Sequence, residues 1–287
     1  MRAAQRNPLP PDPITEFGNS YKLNRIAAHV DIGIIGLGAI GGFLARRISA
    51  MPQHHLVAIA ELDAMKVAML QREIPLLPVP CSIAEVTNRS TLVIEAAGKH
   101  VVPEVLRACI IARKDCLLLS SGGLLEHLDL LTQAKQSGIA VRIPSGALAG
   151  IDALRAAKLG RIDAITLTST KSPAGFTDAP YVRQQGIDLS SIREATVLFE
   201  GNALDAVRGF PQNVNVAATL ALYGIGPENT RVRVVADPAA TRNQHEVRIE
   251  GNFGTITTKT ENLPSPDNPK TSMLAALSAL SLLAEPF

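Results

Sequence analysis

Aromatic residues are scarce in this chain: Phe, Tyr and Trp together make up 3% of 287 residues, and Trp is absent. That composition poorly serves an aromatic-rich sandwich or a binder that stacks nucleic-acid bases. Cysteine is sparse too. Cys81, Cys109 and Cys116 are odd in number and form no C-x-x-C pair, which argues against a disulfide framework or a zinc site. A reducing, cytoplasmic setting is the expectation. Charge of one sign is also lacking: 28 Lys and Arg face 26 Asp and Glu, and no basic run suggests nucleic acid or a membrane surface as partner. No apolar stretch reaches the roughly 18–20 residues of a membrane span. Residues 1–29 are polar and Pro-containing without a signal-type hydrophobic segment, and read as a poorly ordered extension. No H-E-x-x-H or other metal-ligand spacing occurs, so no metal is expected.

What is present is aliphatic. Hydrophobic residues reach 46%, and from Asp31 onward short apolar strands alternate with helical segments. The expected strands are Asp31–Ile35, Leu56–Ala60, Thr91–Glu95, Cys116–Ser120 and Ile139–Ile143. Between them lie helices over Ile40–Met51, Met65–Glu73, Val102–Ala112 and Leu128–Gln136, with Ser82 and Glu85 in capping-box spacing before a further short one. Unbroken apolar runs such as Leu117-Leu118-Leu119 belong in a sheet covered on both faces. Residues 30–145 therefore read as a doubly wound parallel sheet, an α/β domain of Rossmann type. After residue 145 the texture changes. A helix over Ile151–Leu159 precedes strands at Ala164–Thr170, Arg231–Ala236, His245–Gly251 and Thr255–Glu261, and Arg231-Val232-Arg233-Val234 alternates strictly. Residues 146–270 read as an α+β domain with a mixed sheet, and the apolar helix within residues 271–284 is expected to pack back on the first domain.

The first strand runs into Gly36-Leu37-Gly38-Ala39-Ile40-Gly41 and then a helix, the G-x-G-x-x-G context of a dinucleotide site. A pyrophosphate would lie at the helix N-terminus, where free N–H groups and the helix dipole favour an anion. Glu61 follows the second strand, 20 residues after Gly41, where an acidic side chain binds ribose hydroxyls. Its charge would repel a 2′-phosphate, which favours NAD and leaves NADP open.

Further motifs lie downstream: Glu95-Ala96-Ala97-Gly98; Pro144-Ser145-Gly146-Ala147 with Gly150 and Asp152; Gly201-Asn202-Ala203; and Phe210-Pro211-Gln212-Asn213-Val214-Asn215-Val216-Ala217-Ala218. Asp237-Pro238 with Arg242-Asn243-Gln244-His245, and Asn268-Pro269-Lys270-Thr271-Ser272, complete the series. In this order they resemble the L-aspartate dehydrogenase family over nearly the whole chain beyond the extension. The resemblance implies oxidative deamination of L-aspartate with hydride passing to NAD(P)+, through iminoaspartate to oxaloacetate and ammonia. It also implies a catalytic His245, cofactor contacts at Ala147 and Asn215, and a homodimer. Lys171-Ser172-Pro173 departs from the Lys-Pro-Pro common in the family.

The chemistry asks for a base, because hydride leaves only from the free amine, and histidine is suited to that task. Of the six histidines, His54 and His55 precede a strand on the side away from Rossmann ligands and His29 borders the extension, so these read as surface residues. His100 follows the Glu95 strand end and is either a site residue or a plain helix-start residue. His245 begins a half-exposed strand and faces either the core or water. The cofactor candidates are Gly36, Gly38, Ala39, Ile40, Gly41, Glu61, Ala97, Gly98, Ala147 and Asn215. The carboxylates of the substrate point to Lys171 and Ser172 at a strand end, Asn213 before an apolar helix, and Lys270, Thr271 and Ser272 at a helix start. Two other readings remain open: another two-domain reductase, related to dihydrodipicolinate reductase or homoserine dehydrogenase, and a dinucleotide sensor without catalysis.

Overall fold

Two five-stranded sheets organise the chain in the computed structural model, which describes residues 30–211, 215–265 and 268–283. The first contains β1 (Val30–Ile35), β2 (His54–Ala60), β3 (Leu92–Glu95), β4 (Asp115–Leu118) and β5 (Val141–Arg142) in the order β2-β1-β3-β4-β5. Every pairing in it is parallel. Helices cover both faces, as the apolar runs require: Leu117 packs into a core with Ile32, Ile34 and Leu44, while its neighbour Leu118 packs into the opposite one with Val93, Val105 and Leu106. Neighbouring side chains on a strand point to opposite faces, so only a doubly covered sheet can bury both leucines.

Local signals set the helices. Helix Ile83–Arg89 starts on the capping box, with Ser82 Oγ accepting from Glu85 N and Glu85 accepting from Ser82 N. Helices Val102–Ala112 and Leu128–Gln136 have the expected bounds. The expected strand at Ile139–Ile143 contracts to Val141–Arg142, because the Ile143 carbonyl accepts from the Tyr223 hydroxyl at 2.5 Å and so ties to the second domain. The strand expected to reach Ser120 ends at Leu118, where the Ser120 amide turns to the Glu95 carboxyl.

The second sheet is mixed. It contains β6 (Ile162–Lys171), β7 (Thr196–Asn202), β8 (Thr230–Ala236), β9 (Asn243–Gly251) and β10 (Gly254–Asn262) in the order β10-β9-β6-β8-β7. Only β6 and β8 run parallel; the other pairs are antiparallel. One face carries Ile165, Leu167, Val232, Val234, Val247 and Ile249 into a core shared with helices Ile151–Ala157, Ala203–Gly209 and Asn215–Tyr223. The other bears charged side chains such as Arg231, Glu246 and Arg248, so the alternation in the sequence is realised as one wet and one dry face. Strand β7 was not expected, since Thr196-Val197-Leu198-Phe199-Glu200 does not alternate: a register shift between Val197 and Phe199 breaks its period.

A two-stranded ribbon, β11 (Pro264–Ser265) with β12 (Asn268–Ser272), leads into helix Met273–Ser281. Lys270 and Thr271, expected at a helix start, therefore lie in a strand; Ser272 alone is the cap, accepting from Leu274 N. The helix carries Ala279 and Leu280, and Leu283 beyond it, into the core of the first sheet beside Leu44 and Ile48. This docking buries His54, expected at the surface: its Nε2 lies 2.9 Å from the Leu283 carbonyl. His55 stays exposed, as expected of it.

Candidate active site

The strand order reverses between β1 and β3, and in open α/β sheets ligands bind outside the strand ends at such a switch point. Gly36 and Gly41 fit that crevice. Gly36 has φ +90°, and a Cβ there would come within 2.5 Å of Ala97 Cα. A Cβ on Gly41 would run into the Gly36 carbonyl oxygen. Gly38, by contrast, faces open space, with no atom within 4 Å of a Cβ placed there. Helix Ala39–Ser49 begins after Gly38 with no side-chain cap and no acidic residue in its first turn, which leaves its amides available to an anion. Ala39 is its first residue, and Ile40 turns towards the cleft described below.

Glu61 closes this loop. Its Oε2 accepts from Leu37 N at 2.7 Å, and its Oε1 accepts from Leu62 N and Asp63 N, each at 2.9 Å. Partial burial works against its ionised form, but these amides and Lys66, 4.0 Å away, hold the carboxyl below its usual range. A permanent anion thus sits at the end of β2, which suits ribose hydroxyls and opposes a phosphate.

Glu95 ends β3 fully buried. Its Oε1 accepts from Ala97 N and Gly98 N, both at 2.8 Å, and from Ser120 Oγ at 2.9 Å, while its Oε2 accepts from Ser120 N at 3.0 Å. Burial pushes this carboxyl up despite the four donors. Glu95 thereby holds Ala97 and Gly98, and Ala97 stands against Gly36 of the glycine loop. His100 is exposed and is not part of the lining of the cleft between the sheets.

Between the two sheets lies a cleft of about 140 Å³. Ile40, Leu119, Pro144, Gly146 and Ala147 come to it from the first domain and the crossover, and Asn215, Val216 and Thr219 from one helix. Lys171, Asn243, His245, Ser272 and Ala275 complete the lining. Ala147 is buried, and its carbonyl accepts from Thr260 Oγ1 at 2.8 Å and Asn262 Nδ2 at 3.2 Å. Asn215 reaches across the domains, accepting from Gly122 N through Oδ1 at 3.3 Å and from Ser121 Oγ through its backbone carbonyl at 2.9 Å.

His245 faces the interior and not solvent, with 4% exposure. Its Nδ1 is 3.0 Å from Ser169 Oγ, the residue directly across the β6–β9 ladder. Burial first, and the charge of Lys171 second, depress the imidazole to about 3 from 6.5. Lys171, two residues beyond Ser169 and on the same strand face, is 6% exposed, and burial lowers it to about 8 from 10.5. The cleft thus holds a neutral imidazole beside an amine of reduced basicity.

Of the other expected substrate residues, Ser172 is half-buried and not part of the cleft lining, Lys270 and Thr271 fall in strand β12, and Asn213 lies outside the described residues. Asn243 was missed as a site residue, although the signal was available: it stands two before His245 on β9, and a strand repeats its faces every two residues. Thr219, buried and bonded to Ser121 Oγ at 2.9 Å, gave no signal in the sequence, since its helix is apolar on most sides. Among the described residues no group of His, Cys, Asp and Glu could hold a metal, and no helix is long and apolar enough to cross a membrane.

Comparison with known proteins follows the same division. Residues 36–144 match the model of the homoserine dehydrogenase NAD-binding domain, and residues 152–285 match that of the aspartate dehydrogenase C-terminal domain. An L-aspartate dehydrogenase of Methanosarcina barkeri is 43% identical over 257 residues, covering 88% of this chain and 95% of that protein. L-aspartate dehydrogenase 3 of Bordetella bronchiseptica is 36% identical over 258 residues, covering 88% and 93%. The crystal structure of aspartate dehydrogenase from Thermotoga maritima superposes with a TM-score of 0.67 at 26% identity, covering 89% of this chain and 95% of that one. With relatives of this identity along nearly their full length, the chain belongs to the L-aspartate dehydrogenase family.

Proposed function

We propose that this protein oxidises L-aspartate with NAD(P)+, giving iminoaspartate and then oxaloacetate and ammonia. The observation that carries this reading is the cleft itself. It brings the buried pair His245 and Lys171 against the helix that starts at the glycine loop, in a chain of this family. Gly36, Gly38, Ala39 and Gly41 would cradle the pyrophosphate and Glu61 the ribose, while Ala147 and Asn215 would hold the nicotinamide half. Bound there, the nicotinamide supplies the hydride acceptor. Asn243 and Ser272 present polar groups to a small dicarboxylate, Lys171 reaches the same cleft, and the apolar wall of Ile40, Leu119 and Val216 limits water.

In this reading His245 is the general base that activates the water attacking the imine. A neutral imidazole is the right form to receive that proton. Ser169 acts as acceptor when Nδ1 carries hydrogen, which leaves Nε2 as the basic nitrogen. The division near residue 145 separates the part that holds the cofactor from the part that holds the substrate. A cytoplasmic setting suits three thiols free of disulfides, and a homodimer is the commonest closed assembly.

The test follows reduced nicotinamide absorbance with a panel of amino acids, and with 2-oxo acids plus ammonia. Turnover of aspartate that is lost in His245→Ala, with cofactor binding kept, is expected. Activity only with a different substrate would favour another reductase, and binding without turnover would favour a sensor.

A further inference from the structure

Oxidative deamination needs two proton acceptors, and His245 suits only one of them. The first proton comes from the ammonium of the substrate, which must become a free amine before hydride can leave. An aliphatic ammonium is a weak acid, and an imidazole depressed to about 3 is far too weak a base to hold its proton. A dicarboxylate entering the cleft attracts the charged forms of both His245 and Lys171, so it leaves their order unchanged.

The geometry points to Lys171 as a further catalytic residue, the group that takes the ammonium proton of the substrate at its Nζ. This rests on the aspartate reading above. Lys171 lines the same cleft as His245, on the next inward position of β6 after Ser169, and is buried to 6% exposure. Its stem passes beside Gly175, where an added Cβ would stand in ordinary van der Waals contact with Lys171 Cβ at 3.5 Å and Cδ at 3.6 Å. The depressed basicity of Lys171 has the same sense: burial makes the neutral amine accessible near neutral pH.

The step balances without a further reactant. An N–H bond of the substrate breaks, an Nζ–H bond forms, and no electrons change hands. The freed nitrogen lone pair then becomes the C=N π bond as the Cα–H pair departs as hydride to the oxidised cofactor. When water adds to the imine carbon, its proton passes to His245 and Lys171 returns its own to the nitrogen. The two side chains together then carry one positive charge before and after that step, which respects the repulsion between them.

The rival role for Lys171 is to anchor a substrate carboxylate, and succinate separates the two because it has both carboxylates and no amine. With the full-length enzyme and L-aspartate, Lys171→Met should lower kcat by about 100- to 10,000-fold, the usual contribution of a general base. Succinate inhibition, read on the residual turnover or by displacement in calorimetry, and NADH binding should be unchanged. Lys171→Arg should be equally slow while still binding succinate, because a guanidinium does not give up its proton. Methylamine added to Lys171→Ala should restore turnover in proportion to its concentration. A Lys171→Met enzyme with wild-type kcat, a raised KM and lost succinate binding would overturn the proposal alone. If Lys171→Met loses NADH binding, the arginine variant and methylamine rescue decide, and failure of both overturns it. A wild type inert towards aspartate overturns the functional reading and this proposal together.

Discussion

His245 should make the protein measurably acid-sensitive, and the size of the effect follows from its burial. In the unfolded chain the imidazole titrates near 6.5, whereas in the folded protein it is held down to about 3. The folded pKa is the lower one, so the unfolded state binds more protons between these values. The stability contributed by the neutral buried ring is fully present above 6.5 and is lost as pH falls towards 3. At a pH of about 5 the loss is some 1.5 units at about 1.36 kcal/mol per unit, or about 2 kcal/mol. The group is 4% exposed, so solvent does not screen this away. Lys171 has the same sign, but below its folded value of about 8 its term is nearly constant and does not disturb the comparison. The assay is urea unfolding of the wild type and of His245→Gln near pH 7.5 and near pH 5. The wild type should lose about 2 kcal/mol more than the variant over that interval. Parallel pH profiles for the two proteins would refute the argument, because the ring would then be free to protonate in the folded state.

Two further outcomes test the cofactor loop and the support of His245. Replacing Glu61 by Ala removes the acceptor of the Leu37, Leu62 and Asp63 amides and the charge that opposes a 2′-phosphate. NAD+ should bind more weakly and the NAD+ to NADP+ preference should fall; an unchanged ratio of kcat/KM values would show that the carboxylate does not face the ribose. Replacing Ser169 by Ala removes the hydroxyl against His245 Nδ1. Turnover of aspartate should drop by about tenfold or more, for a lost hydrogen bond to a group that becomes charged, with KM for the cofactor unchanged and Ser169→Thr partly rescuing. Equal losses in Ser169→Ala and Ser169→Thr would assign the effect to packing.

Much of the fold was legible because local chemistry and global packing agree. Leu117-Leu118-Leu119 needed a sheet with two covered faces, Ser82 and Glu85 formed their reciprocal cap, and Arg231-Val232-Arg233-Val234 alternated between water and core. Gly36 and Gly41 were readable for the same reason: a positive φ and a close backbone approach leave little choice of residue. Where a distant segment intervened, the reading slipped. His54 is buried only because the chain returns 229 residues later to cover it with Leu283, and Lys270 and Thr271 join a ribbon whose partner strand lies before them.

The sequence by itself determined the Rossmann half, the acidic residue after β2 and the family, since each rests on short-range spacing or on motifs kept in order. Only the tertiary structure decided the chemistry of the site. Burial of His245 and Lys171, and the depressed basicity of each, depend on which face of β6 and β9 turns to the helices and the cleft. Desolvation belongs to the assembled surroundings of a group and not to its neighbours in the chain, so no local pattern could announce it.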